Sequence, residues 1–268
     1  MRNRTITLFE FSEDNEKLIN FSNNLATEIN SNLLLVHQTD CLIPSFTDSE
    51  TKKKILEVEK KEAIAKINEI IDLKTHDIEC EITEKNVVNY LESLHDSSVC
   101  DWVIVKQKEK EEFERFFTKS TILKIIEETN SLLIALPQDF SYNMPETLYF
   151  ASHPKFEINH SQLEHLLNSL KNQVKKIVFF THIDDEDDYF EIETHLKSLE
   201  ELYQKYNTST KIIVGNFANS DFKNQMDFTS GFLVVQKGPR NLFDLFFRRL
   251  SIDNLIKKAA FPLIIIPK

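Results

Sequence analysis

Glycine is almost missing from this chain, with three in 268 residues. A backbone without a Cβ is what lets several N–H groups close on one phosphate and tolerate positive φ, so a glycine-poor chain has little material for phosphate-cradling loops. No Walker loop, nucleophile elbow or paired acid/base motif occurs, and no enzyme signature is found. Cysteine is scarce as well. Cys41, Cys80 and Cys100 are odd in number and have no CxxC spacing, which argues against a disulfide framework and fits a reduced cytoplasm. Basic residues are outnumbered, 32 against 43 acids, giving a net charge of −11. That balance disfavours nucleic acid or an anionic membrane as the main partner. No apolar run approaches the roughly 20 residues that span a bilayer. The apolar stretch at residues 5–9 is too short for a signal peptide and has no small-residue cleavage site behind it. What remains is 41% hydrophobic and 28% charged, an ordinary globular balance.

The most informative feature is a repeat. Residues 101–137 and 231–267 align without a gap at a shift of 130. Val105/Val235, Phe113/Phe243, Phe116/Phe246, Phe117/Phe247, Ile122/Ile252, Ile126/Ile256, Leu133/Leu263, Ile134/Ile264 and Pro137/Pro267 are identical, and Trp102/Phe232 and Glu114/Asp244 nearly so. Each copy reads as a buried strand, an aromatic turn, a helix, a second buried strand and a closing proline. Two related domains in tandem are expected, at about 130 residues each.

Periodicity supplies the rest. Strands are predicted at 5–11, 33–36, 77–83, 102–105 and 132–136, several of them continuous apolar runs suited to a parallel sheet covered on both faces. Helices are predicted after Ser12, which is followed by Glu13, Asp14 and Glu16 as a cap and first turn, and at 47–73, 87–94 and 118–128. Residues 139–145 lack periodicity, contain a proline and read as a linker. Strands at 147–151, 176–181 and 211–214 and helices at 160–170, 184–206 and 221–226 then lead into the second copy. The expected division is a first domain at 1–138, a linker at 139–145 and a second domain at 146–268. Strands alternating with helices give a mostly parallel α/β sheet, with the ligand crevice at the carboxyl ends of the strands where their order switches.

Phe9, Glu10, Phe11 and Ser12 stand where a strand-ending Asp-x-Ser turn is found in universal stress proteins, and Pro137 and Pro267 close their strands as that family's last strand often does. Over nearly its full length the chain resembles a tandem universal stress protein. The resemblance implies two Rossmann-like domains of the adenine nucleotide alpha hydrolase-like type, each a five-stranded, mostly parallel sheet with helices on both faces. It also implies pairing of the closing strands about a pseudo-twofold axis, and a nucleotide loop after each fourth strand: Gly, two residues, Gly, nine residues, Gly, then Ser or Thr.

Laid on this chain, that loop falls on Lys106, Glu109, Lys119 and Ser120 in the first half and on Gln236, Pro239, Arg249 and Leu250 in the second. Gly238 lies one residue off and Ser251 one residue late. Every motif glycine is replaced. A Cβ at each position crowds phosphate, Pro239 removes a donor, and Glu109 puts a carboxylate where polyphosphate would lie. Lys106, Lys119 and Arg249 attract phosphate as charges without rebuilding the amide nest. No cofactor is therefore expected. ATP or AMP remains the alternative, confined to the first half: Ser120 and Thr121 would hold phosphate at a helix start beside Lys106 and Lys119, while Glu10, Phe11, Ser12 and Val36 would line the nucleoside end, by resemblance.

Other signals are local. The run from His182 to Asp188, rich in Asp and Glu, reads as a solvated acidic first turn of a helix rather than a cation loop. His37, His153 and His182 fall near strand ends without metal-ligand spacing. The paired aromatic turns at 113–117 and 243–247 plug the emptied crevice, pack between domains, or form an exposed apolar patch that docks a partner. The expectation from sequence is a cytoplasmic, non-catalytic protein that regulates by binding an unidentified protein or small molecule. It would be an intramolecular pseudo-dimer able to dimerise again. An ATP- or AMP-binding switch in the first domain, or a very weak ATPase, is the alternative.

Overall fold

The computed structural model describes residues 2–10, 15–38, 46–70, 78–106, 119–137, 140–141, 143–183, 189–214, 226–237 and 262–268. They form two compact units, Met1–Ser131 and Leu132–Lys268.

The first unit runs β1 (Arg2–Leu8), α1 (Asn15–Glu28), β2 (Asn32–Gln38), α2 (Ser49–Ile70), β3 (Ile78–Thr83), α3 (Val87–Ser93), β4 (Val99–Lys106) and α4 (Lys119–Glu128). Its strands are parallel in the order β3-β2-β1-β4. Ile104 and Trp102 of β4 and Ile6 of β1 have no exposed surface, as expected for apolar strands covered on both faces. The first strand begins three residues earlier than its apolar pattern predicts. Arg4 accounts for this: its fork donates to both oxygens of Asp101 on β4, at 2.7 and 2.9 Å, and to the Leu94 carbonyl at 2.8 Å. A bidentate pair of this kind lets a cation occupy a ladder position that hydropathy would assign to a loop. Side-chain oxygens cap the helices that have room for them. Asp48 accepts from the amides of Glu50 and Thr51, and Asn86 from Val88. α1 ends on Asn30 at φ 51°, with the Ser31 amide returning to the Ala26 carbonyl at 2.8 Å. In a chain this short of glycine, asparagine takes the left-handed position.

The second unit runs β5 (Leu132–Leu136), β6 (Thr147–Ala151), α5 (His160–Ser169), β7 (Lys176–Ile183), α6 (Tyr189–Leu202), β8 (Thr208–Val214), β9 (Gly231–Gln236) and β10 (Leu263–Ile266), with strand order β5-β10-β9-β6-β7-β8. All its ladders are parallel except that of β5 with β10. In that antiparallel ladder Ile134 lies opposite Ile264, Leu133 opposite Ile265 and Ala135 opposite Leu263. Ile134 and Ile264 are partners in the 130-residue repeat, so the ladder is symmetric about that pair. The strand at Leu132–Leu136 is grouped with the second unit. Phe140, in the stretch read as a linker, is buried edge-to-face on Phe232 at 5.4 Å.

Strand registers carry the repeat further back than residue identities do. Ile82 lies opposite His37 and Ile212 opposite Thr181, again a shift of 130 between β3 and β8. The shift changes before that point, because the β2–β3 connection holds a helix of 22 residues where the β7–β8 connection holds one of 14. Residues 221–225 of the predicted helix, the aromatic turns at 113–117 and 243–247 and the second copy of the repeat helix lie outside the described residues, and Met226 is buried in a bend.

Candidate functional site

In the first unit the chain moves outward from β1 to β2 and β3, then returns to the other side of β1 as β4. Strand order switches between β1 and β4, and a crevice at the carboxyl ends of these strands is the natural binding place. The registers show which residues meet there. Leu8 lies opposite both Val36 and Val105, so Phe9 and Glu10, His37 and Gln38, and Lys106 follow at one edge. Glu10, Val36 and Lys106 thus lie along one edge. Glu10 and Lys106 are half-buried, and Val36 has no exposed surface. The exit from β1 is fixed by the Phe9 amide on the Val36 carbonyl at 3.1 Å and by His37 Nδ1, 3.1 Å from the Phe9 carbonyl. Gln38 Oε1 accepts from the Val87 amide at the start of α3. Lys119, Ser120 and Thr121 form the first turn of α4, the helix that follows β4. Their side chains, and Phe11, Ser12 and Glu109, lie outside the described residues.

The second unit repeats this edge with different side chains. The switch falls between β6 and β9. The Ser152 amide donates to the Phe180 carbonyl at 2.9 Å, as Phe9 does to Val36, and the Thr181 hydroxyl donates to the Ser152 carbonyl, where His37 meets Phe9 in the first unit. Gln236 holds the place of Lys106. Its side chain is 8% exposed and is used at both ends. Oε1 accepts from the Asn159 amide at 2.6 Å, and Nε2 donates to the Glu157 carbonyl at 3.1 Å. One amide side chain thereby ties the carboxyl end of β9 to the loop that leaves β6. It fills the position where the family motif would have a glycine with nothing beyond Cα.

The same loop is held at its start. Ser152 Oγ lies 2.7 Å from His195 Nε2 on α6, and Ser152 is 3% exposed. Burial holds the His195 ring below the ordinary histidine range, against the pull of Glu191 one turn earlier. His153 Nδ1 accepts from the Lys155 amide, closing a turn within the loop. Asn159 caps α5 through the Gln162 amide, and His160, the first residue of that helix, meets the Tyr203 hydroxyl at 2.8 Å with the rings stacked. Burial pushes the Tyr203 phenol up to about 12. Two hydroxyl–imidazole pairs and one glutamine therefore surround a single loop.

Of the three histidines expected near strand ends, His37 and His153 are at the edges described. His182 is on β7, with its side chain outside the described residues, as is the acidic run that follows it. Sequence reasoning did not find His195, His160 or Tyr203, and it identified Gln236 as a missing glycine, not as a clamp. For Gln236 a signal existed, since glutamine carries both a donor and an acceptor. The other two pairs each join residues 43 apart and leave no local spacing to detect. Among the described residues, no group of three or more His, Cys, Asp or Glu side chains gathers as a metal site. No helix among them is long and apolar enough to cross a membrane.

No family model and no curated protein matches the sequence. Solved structures do match. A universal stress protein from Archaeoglobus fulgidus DSM 4304 superposes with a TM-score of 0.65 at 11% identity, over 98% of both chains. The cytoplasmic domain of a prokaryotic cation chloride cotransporter superposes with a TM-score of 0.57 at 14% identity, over 99% of this chain and 95% of that one. A functionally unknown protein from Pseudomonas aeruginosa PAO1 superposes with a TM-score of 0.53 at 9% identity, over 98% and 92%. Identities this low speak for architecture alone: the chain has the α/β, Rossmann-like fold of the universal stress proteins.

Proposed function

We propose that this chain is a non-catalytic regulator of the universal stress type, with two tandem domains in one cytoplasmic polypeptide. It acts by binding a protein or small-molecule partner and does not turn over a nucleotide. The observation that carries the reading is the Gln236 clamp. A phosphate nest needs several free amides converging on one anion. In the second unit the Asn159 amide, on the loop that leaves β6, is already taken by Gln236 Oε1 at 2.6 Å, and Gln236 is buried there. The substituted motif positions Lys106, Glu109 and Lys119 support the same reading for the first unit. The test is a thermal-shift and calorimetric screen of the full chain with ATP, ADP, AMP and cyclic nucleotides at moderate salt. A ligand at a hundred times its Kd would stabilise the native state by about 2.7 kcal/mol, and no such shift is expected. Micromolar ATP binding abolished by Ser120→Ala together with Lys119→Glu would overturn the proposal.

One observation favours a second reading, an ATP- or AMP-dependent switch in the first unit. Glu10 and Lys106 are half-exposed at the β1/β4 edge, where the second unit has a buried glutamine. On that reading nucleotide stabilises the chain, Lys106→Glu removes the effect, and Gln236 variants leave it unchanged.

A further inference from the structure

We infer that His195 is an acid-sensitive latch on the loop leaving β6, and that its protonation frees the loop from α6 at the mouth of the second unit's crevice. The inference rests on the closed edge described above and goes beyond it. The loop that begins at Ser152 is held by the Thr181 hydroxyl, which does not titrate in this range, and by the side chains of Gln236 and His195. Gln236 holds its end through Glu157 and Asn159, and neither contact titrates. His195 holds its start through Ser152.

The 2.7 Å contact joins a half-buried ring to the hydroxyl of a serine that is 3% exposed. We assign the neutral ring the Nδ1–H tautomer, in which Nε2 accepts the Ser152 proton. A protonated ring has no lone pair to offer. It donates instead, and the Ser152 proton then loses its acceptor in a place water does not reach. An unmatched buried donor is costly, so the charged state favours withdrawal of the loop, which lets the ring and hydroxyl meet water.

The titratable groups acting on the ring are Glu191 on its own helix and His160 at the start of α5. Ser152 comes from the exit of β6, and Thr181 of β7 holds the Ser152 carbonyl in place. Glu191 favours the charged ring, while burial and His160 oppose it, and burial is the largest of the three. The sign follows. The closed state holds the ring below its ordinary value of 6.5, and the open state restores that value. Closure is therefore fully stable above that value and is lost progressively as pH falls below it.

The test is amide hydrogen exchange on the full chain, expressed as protection factors between about pH 7.5 and about pH 5, with the His195 ring titration followed by NMR in the same range. Protection at Ser152 and Lys155 should fall about tenfold for each unit by which the ring is depressed, while that of Asn159, held by Gln236, should fall less. His195→Gln keeps an amide to bond Ser152 and cannot titrate, so its loop protection should be flat with pH. Protection that is flat in the parent protein, or that falls equally in His195→Gln, overturns the inference. If His195→Gln does not fold, Ser152→Ala decides. Its loop should already exchange at the parent's acid rate near neutrality, and unchanged protection there overturns the latch. Nucleotide binding is read separately, so failure of the latch leaves the proposed function standing, and the reverse holds too.

Discussion

Removing the Gln236 side chain should loosen one loop of the second unit by a calculable amount. In Gln236→Ala two hydrogen bonds vanish, each with a net worth of about 1 kcal/mol. They are not equal losses. Asn159 is half-buried, so its amide is poorly rehydrated, whereas Glu157 is exposed and its carbonyl regains water. The expected cost is about 1–2 kcal/mol, less than two full buried bonds. Gln236→Glu is the sharper perturbation. A carboxylate still accepts from Asn159, yet it turns a second acceptor toward the Glu157 carbonyl and puts a charge at a position 8% exposed. It should cost about 1–3 kcal/mol more than alanine. The assay must see the second unit. The chain's single tryptophan, Trp102, lies in the first, so its emission is the wrong probe. Urea denaturation followed by far-UV circular dichroism, with exchange of the Asn159 amide as the local readout, is the right one. A Gln236→Glu protein as stable as the parent, or an Asn159 amide equally protected in Gln236→Ala, would refute the clamp.

Two further outcomes follow from packing and burial. A Cβ added at Gly231 would collide with the Asp227 carbonyl and lie 2.5 Å from Cε2 of Tyr149, whose hydroxyl accepts from the Asp227 amide. Gly231→Ala should therefore lower stability by about 1–3 kcal/mol, and an unchanged Tm would show that this turn has slack. Burial pushes the thiols of Cys80 and Cys100 up to about 11. At pH 8 only about one molecule in a thousand carries the thiolate, against roughly a quarter for a free thiol. Alkylation mapped by mass spectrometry should label both residues at least a hundredfold faster in urea than in the native protein, and equal rates would contradict their burial.

The fold was legible where the chemistry is one-sided. β4, β5 and β9 are buried on both faces, so their sequences are continuous apolar runs and their repeat survives as identical residues. It was less legible where a polar group does structural work. Arg4 belongs to β1 because Asp101 and Leu94 take its donors, and hydropathy cannot see partners more than 89 residues away. Leu132–Leu136 closes the first copy in sequence, and its ladder joins it to β10, the strand that closes the second.

The candidate site shows a harder limit. Counting glycines tells what a backbone lacks at Lys106 and Gln236. It does not tell where the replacing side chain goes. Gln236 bonds to an amide and a carbonyl 77 and 79 residues earlier, and those two groups are the same in every residue but proline. No pattern of side chains at 157 or 159 announces that they will be held. The Ser152–His195 and His160–Tyr203 pairs are likewise made by helices laid over a sheet. A fold specified by apolar periodicity can therefore be read from sequence, whereas a loop held through its backbone groups appears only after the chain has been folded.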